Sequence, residues 1–270
     1  MSSETKIHKL NEELWKARDE ICEECRNKRF GFGCIHQEKN KKISYLDKNR
    51  IWGKKKVTMH SYCPPYLGFF HPENLDENSF CGKNVFFILE SMGGGRPWKK
   101  KSDMTFEEPM KELEEYYLSK PIERFHQYCI REILKKMDEK IIPFFVTDVV
   151  KCFVVRSNRK NFTTAAEICS TNFLRKQIFT LKPKVIVVFG GRARDALKGF
   201  AANESKSKFA ALHTENHSKK IDIELTEKEQ HYKTSLIYSI FPTANRNADD
   251  WVRLEAKENL LKAIYKAEGI

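Results

Sequence analysis

The chain has 270 residues, and its 49 Lys plus Arg against 37 Asp plus Glu leave a formal net charge of +12. That length buries a full core, so one domain over residues 1–270 is expected rather than a string of small modules. The basic balance favours phosphate polymers or anionic surfaces as partners through counterion release, with a solvated lysine-rich exterior as the plain alternative.

Met1 to Lys6 lacks the positive-then-apolar layout of a signal peptide, and no apolar stretch approaches the ~20 residues that span a bilayer. An intracellular protein, cytoplasmic or nucleoid-associated, is expected. In a reducing compartment its eight cysteines speak for metal ligation or for small buried hydrophobes rather than for disulfides.

In chain order, residues 4–20 predict a helix with Ile7, Leu10, Leu14 and Trp15 on one face, leading into Cys22 and Cys25. Residues 31–79 read as a basic surface insertion, with seven lysines and Arg50 between Lys39 and Lys56 that could track a DNA backbone or simply face solvent. The apolar run Val85–Leu89 before Gly93-Gly94-Gly95 predicts a buried strand and a tight loop. Helical sequence follows over 106–139, broken near Pro121. A strand over Ile141–Val150, a helix over Thr163–Thr180 and a strand over Val185–Phe189 come next, then a short helix over Arg192–Leu197. The polar stretch 201–233 holds an edge strand at Ile221–Leu225 and otherwise reads as loop. Leu236–Phe241 is the fourth core strand, and Asp249–Tyr265 closes the chain as a helix. Apolar strands alternating with helices predict a three-layer α/β/α domain around a mostly parallel four-stranded sheet. Ligands of such sheets sit at the carboxyl ends of the strands.

Two cysteine pairs stand out, Cys22 with Cys25 as Cys-x2-Cys, and Cys152 with Cys169. Four thiolates from two separated pairs suit a [4Fe-4S] cluster. Cys22, Cys25, Cys34 and His36 form a rival zinc set, and buried cysteines without metal are the third reading. Cys63, Cys81 and Cys129 have no partner spacing and read as core or surface thiols.

The second pair lies in Phe145-Val146-Thr147-Asp148-Val149-Val150-Lys151-Cys152, followed by Cys169 and then Leu181-Lys182-Pro183-Lys184-Val185-Ile186-Val187-Val188-Phe189-Gly190. This arrangement resembles the iron-sulfur uracil-DNA glycosylases, the family-four type and its relatives, over roughly residues 84–265 plus the Cys-x2-Cys. The resemblance implies Cys22, Cys25, Cys152 and Cys169 as cluster ligands and DNA, duplex or single-stranded, as the partner of a monomer. It also implies a nucleotide flipped into a pocket for hydrolysis of its N-glycosidic bond.

Site residues follow from the same resemblance. The first motif appears as Leu89-Glu90-Ser91-Met92-Gly93, keeping Glu90 and Gly93 but not the family's first Gly and Pro. Glu90 is thereby implied to position the attacking water, although a carboxylate capping a helix after a strand is the structural alternative. Gly95-Arg96-Pro97-Trp98 resembles the segment that stacks an aromatic on the base, with Trp98 in that role or in a wedge or packing role. Where the family reads uracil with Asn, this chain has Asp148, which accepts but does not donate when ionised and so suits a donor-rich base edge. The final His-Pro motif is replaced by Phe241-Pro242-Thr243-Ala244-Asn245-Arg246-Asn247. There Asn245 can donate to the departing base, and Thr243 and Arg246 are implied in DNA contacts. His60, His71, His213, His217 and His231 read as solvated, none placed to substitute for the missing imidazole.

Three functions compete at this point. The first is a DNA glycosylase acting on uracil or a related base in base excision repair. The second is a catalytically weak or inactive nucleic-acid-binding relative, and the third a metal-bearing α/β enzyme acting on a nucleotide or another small anion, with Gly190-Gly191-Arg192 at a helix N-terminus receiving a phosphate.

Overall fold

The computed structural model describes residues 6–18, 20–21, 67–72, 84–91, 105–122, 124–151, 159–242, 248–253 and 255–270. Six strands form one mixed sheet: β1 (Phe69–His71), β2 (Val85–Ser91), β3 (Phe144–Val150), β4 (Val185–Phe189), β5 (Lys220–Glu227) and β6 (Gln230–Ser239), in the order β1-β3-β2-β4-β6-β5. The inner four are mutually parallel, and β1 and β5 are added antiparallel at the two edges. The expected four-stranded sheet is therefore the centre of a wider one.

Continuous apolar sequence explains the parallel centre. Phe86, Phe87, Phe144, Phe145 and Phe189 are fully buried, each contributing roughly 1.5–3 kcal/mol by leaving water. Strand alternation sends them to opposite faces. Phe144 meets Phe69 and Phe87 on one face, while Phe145 stacks on Phe86 on the other, with centroids 4.8 Å apart.

The helices labelled here are α1 (Lys6–Lys16), α2 (Glu107–Leu118), α3 (Phe125–Glu139), α4 (Arg159–Cys169), α5 (Arg175–Leu181), α6 (Gly191–Lys198), α7 (Asn203–Lys206), α8 (Ala248–Arg253) and α9 (Ala256–Glu268). Tyr117 of α2 stacks on Phe69 on the Phe144 face. Gln177 of α5 bonds Lys151, which in turn bonds Thr147 on the opposite face. Helices thus cover both faces, and α1 packs against α5 through a seam that buries Leu10, Leu14 and Trp15.

Several boundaries differ from expectation. Part of the stretch 31–79 is core: Leu67 and Phe69 are buried, and β1 pairs with β3. Gly68 makes this approach feasible, because at φ +106 a Cβ there would lie 2.6 Å from the Val146 carbonyl oxygen. The third strand begins at Phe144, not Ile141, since Ile141 turns through φ 56 and is 84 % exposed. The expected helix over Thr163–Thr180 is α4 and α5 joined by a π-helical turn, Ser170–Leu174. The stretch after Ala201 is not mainly loop: β5 and β6 form a hairpin around Lys228-Glu229, so β6 starts at Gln230. Lys228 takes φ 53 without the Gly or Asn that normally signals such a turn. The closing helix divides into α8 and α9 at Glu255, where φ is 46.

Candidate active site

Four parallel strands ending together define the rim where this fold presents ligands. Glu90, the penultimate residue of β2, stands there beside Gly190, which follows β4. Gly190 has φ 86 and ψ 163, a conformation essentially reserved for glycine. An added Cβ would lie 2.8 Å from Glu90 Oε1 and 3.4 Å from Phe241 Cβ, so the missing side chain is what lets the carboxylate settle between the ends of β4 and β6. Arg192 Nη1 of α6 lies 3.8 Å from Glu90 Oε2. Glu90 therefore sits at the N-terminal end of α6, where both the helix dipole and Arg192 attract a carboxylate. The same placement argues against an anion site at Gly190-Gly191-Arg192, because a phosphate there would meet Glu90.

Asp148 is in register with Leu89 and 1 % exposed. Tyr117 answers it from α2: burial, and then the Asp148 charge, push the phenol well above its ordinary range. The Tyr117 hydroxyl thus neighbours the Asp148 side chain on the face that carries α2 and α3.

The last turn of α2 and the first of α3 are bound to each other. Arg131 donates to the carbonyls of Tyr116 (3.0 Å), Tyr117 (2.6 Å) and Lys120 (2.6 Å), and Gln127 donates to those of Tyr116 (2.6 Å) and Pro121 (3.2 Å). These bonds satisfy carbonyls that the end of α2 leaves open. They also hold His126 in place, with Nε2 3.1 Å from the Tyr116 hydroxyl and its ring centroid 5.6 Å from that of Phe241. Glu90, Gly190, Phe241, His126, Tyr116, Tyr117 and Asp148 form a contiguous arc at one end of the sheet.

A model of the uracil DNA glycosylase superfamily matches residues 90–263. The chain belongs to the uracil DNA glycosylase superfamily. Its matched span begins at Glu90 and takes in Asp148, Gly190 and Phe241, so the superfamily region coincides with the rim just described. No curated protein matches the chain. Superfamily membership points to glycosylase-like, hydrolytic chemistry on DNA, and no helix among the described residues is long and apolar enough to cross a membrane.

Of the residues singled out by sequence, Glu90 and Asp148 come to this rim. Gly93, Trp98, Thr243, Asn245 and Arg246 lie outside the described residues, as do Cys22, Cys25, Cys152, Cys34 and His36. Cys169 is buried at the end of α4. Cys129 is a core thiol that burial raises to about 12. Among the described residues no group of three or more His, Cys, Asp or Glu is placed to hold a metal ion.

Two histidines expected to be solvated are not. His71 of β1 stacks on Phe144 and pairs with Asp138 at 3.0 Å and Glu114 at 3.7 Å, because its strand is an edge of the sheet and not part of a surface loop. His217 bonds the Ala256 carbonyl at 2.9 Å and accepts from the Ile240 N–H at 3.2 Å, tying the end of β6 to α9. Burial lowers its pKa. His126 was missed because its neighbour Phe241 is distant in sequence. The only local signal was its place just after the break at Pro121.

Proposed function

We propose that this chain is a DNA glycosylase of base excision repair that flips a damaged or deaminated nucleotide to the rim and hydrolyses its N-glycosidic bond. The observation that carries the reading is Glu90, seated against Gly190 at the carboxyl end of the parallel centre within the superfamily match. A carboxylate held there can orient the attacking water and take up its proton. Asp148 meets the base edge. As a carboxylate it accepts and does not donate, so it favours bases rich in N–H donors, such as those with an exocyclic amine, over uracil. Gly93 and Trp98 would line the approach of the sugar and base, and Thr243, Asn245 and Arg246 the leaving group and phosphates. The +12 charge supports salt-dependent binding of DNA by a monomer.

Cys22, Cys25, Cys152 and Cys169 are the residues that would hold a [4Fe-4S] cluster of the family-four-like type. Two placements support the fit. Cys169 is buried on α4, which packs on β3, the strand that leads into Cys152. α1 packs on α5, and Ile21, the residue before Cys22, is buried. A cluster would act as a clamp between these segments, since cysteine thiolates are its usual ligands. Zinc at Cys22, Cys25, Cys34 and His36 is the rival occupant.

The test is base release from duplex and single-stranded oligonucleotides carrying uracil, hypoxanthine, xanthine or alkylated bases, with protein purified anaerobically and its absorbance near 400 nm recorded. Release of any one base supports the glycosylase and identifies what Asp148 reads. Tight, salt-sensitive binding with no release would instead establish a catalytically inactive nucleic-acid-binding relative. Absorbance near 400 nm supports the cluster, and colourless protein containing zinc replaces it.

A further inference from the structure

A base that departs from its sugar carries negative charge, and the two carboxylates at this rim, Glu90 and Asp148, oppose that charge. Hydrolysis at this place calls for a hydrogen-bond donor or cation aimed at the leaving group, and removal of one such donor typically costs about 10²–10³ in rate. The end of β6 carries Phe241, an apolar ring, and the imidazole of His126 reaches it from a different part of the chain.

We propose that His126, on the first turn of α3, is a further donor to the departing base beside Asn245. Three observations converge on it. Its ring lies 5.6 Å from that of Phe241, whose Cβ flanks the Gly190 gap that also accommodates Glu90 Oε1. The Tyr116 hydroxyl, 3.1 Å from Nε2, sets the orientation of the ring. The helix junction that carries both residues is locked by Arg131 and Gln127, which fixes the imidazole on rigid elements and not on a loop. The side chain is only partly buried, so a ligand can reach it. In this arrangement Glu90 acts on the water, Asp148 reads the base edge, and His126 donates to the base as the glycosidic bond breaks. The bond's electron pair then stays on a base nitrogen, and the sugar carbon takes the hydroxyl of the water.

This inference rests on the glycosylase reading, and the experiment separates the two. Single-turnover release of the preferred base is compared for the wild type, His126→Ala and His126→Gln, alongside affinity for the same duplex and thermal melting. The expected result is a fall of about 10²–10³-fold for His126→Ala, unchanged affinity and melting, and partial recovery in His126→Gln, whose amide is a neutral donor. Release by His126→Ala at the wild-type rate would overturn the inference and leave the glycosylase reading standing. If the wild type releases no base from any of the oligonucleotides, the glycosylase reading fails and the inference falls with it.

Discussion

Asp148 and Lys151 lie three residues apart at the end of β3, and each is only 1 % exposed, yet they are buried in different ways. Lys151 is enclosed by hydrogen bonds. Its ammonium donates to the Thr147 hydroxyl and, at 2.9 Å, to Gln177 Oε1, and both Thr147 and Gln177 donate onward to the Leu67 carbonyl. Burial still pushes its pKa down to about 7, with Asp148 and Cys169 pulling the other way. Asp148 stands on the opposite face, toward Tyr117 and the open end of the sheet. A buried polar group supplied with partners knits elements together, here β1 and α5 to β3. Asp148 is buried at the ligand-bearing end of the strands beside Tyr117, and that position makes it a candidate for recognition.

The largest effect that would sharpen this contrast is expected at Glu90. In Glu90→Gln, base release should fall by about 10²–10⁴-fold, the range for losing a general base, with DNA affinity retained in a filter-binding or anisotropy assay. Parallel loss of binding and rate would show instead that Glu90 is a folding or docking residue.

Asp148→Asn comes next. The amide supplies both a donor and an acceptor, so the ratio of uracil release to release of a donor-rich base should rise by about 10²-fold in competition kinetics. An unaltered base preference would remove Asp148 from the recognition edge.

Lys151→Met should behave in the opposite way. The apolar stem is kept, but Gln177 and Thr147 each lose a partner, at a cost of roughly 1–3 kcal/mol in urea unfolding, and the preferred base should not change. If Lys151→Met altered base preference while Asp148→Asn did not, the roles given to the two residues would have to be exchanged.

The smallest effect concerns His217. Burial lowers the folded pKa below its ordinary 6.5, so the unfolded chain binds the proton more readily. The stabilisation from the neutral ring is complete above about 6.5 and is lost as pH falls toward and through the folded value. A proton on Nδ1 would face the Ile240 N–H that this nitrogen now accepts. Melting curves of His217→Gln should therefore flatten the acid limb relative to wild type, and identical limbs would exclude the ring as its source.

Much of the sheet was legible without coordinates because it is written in continuous apolar runs. Val85–Leu89 and Val185–Phe189 can only be strands buried on both faces, and α1 declares itself through Leu10, Leu14 and Trp15. The edges were less readable. β1 is a three-residue strand whose place depends on Gly68 fitting against Val146 and on the Thr147–Leu67 bond, and β5 and β6 meet through a turn with no turn-forming residue. The candidate site divides along the same line. Glu90 and Asp148 were visible because each ends an obvious strand in a motif. His126 was not visible, since nothing near it in the chain marks it.

By itself the sequence determined the α/β class, the parallel centre, the basic charge, and the carboxylates at the ends of β2 and β3, because each of these is a local pattern of side-chain type and period. The tertiary structure alone decided that Gly190 yields its space to Glu90, that α2 and α3 are bound through Arg131 and Gln127, and that an imidazole from α3 stands beside Phe241 after β6. Those relations join residues from about ten to more than a hundred positions apart, and only the packing of helices onto the sheet brings them within contact distance.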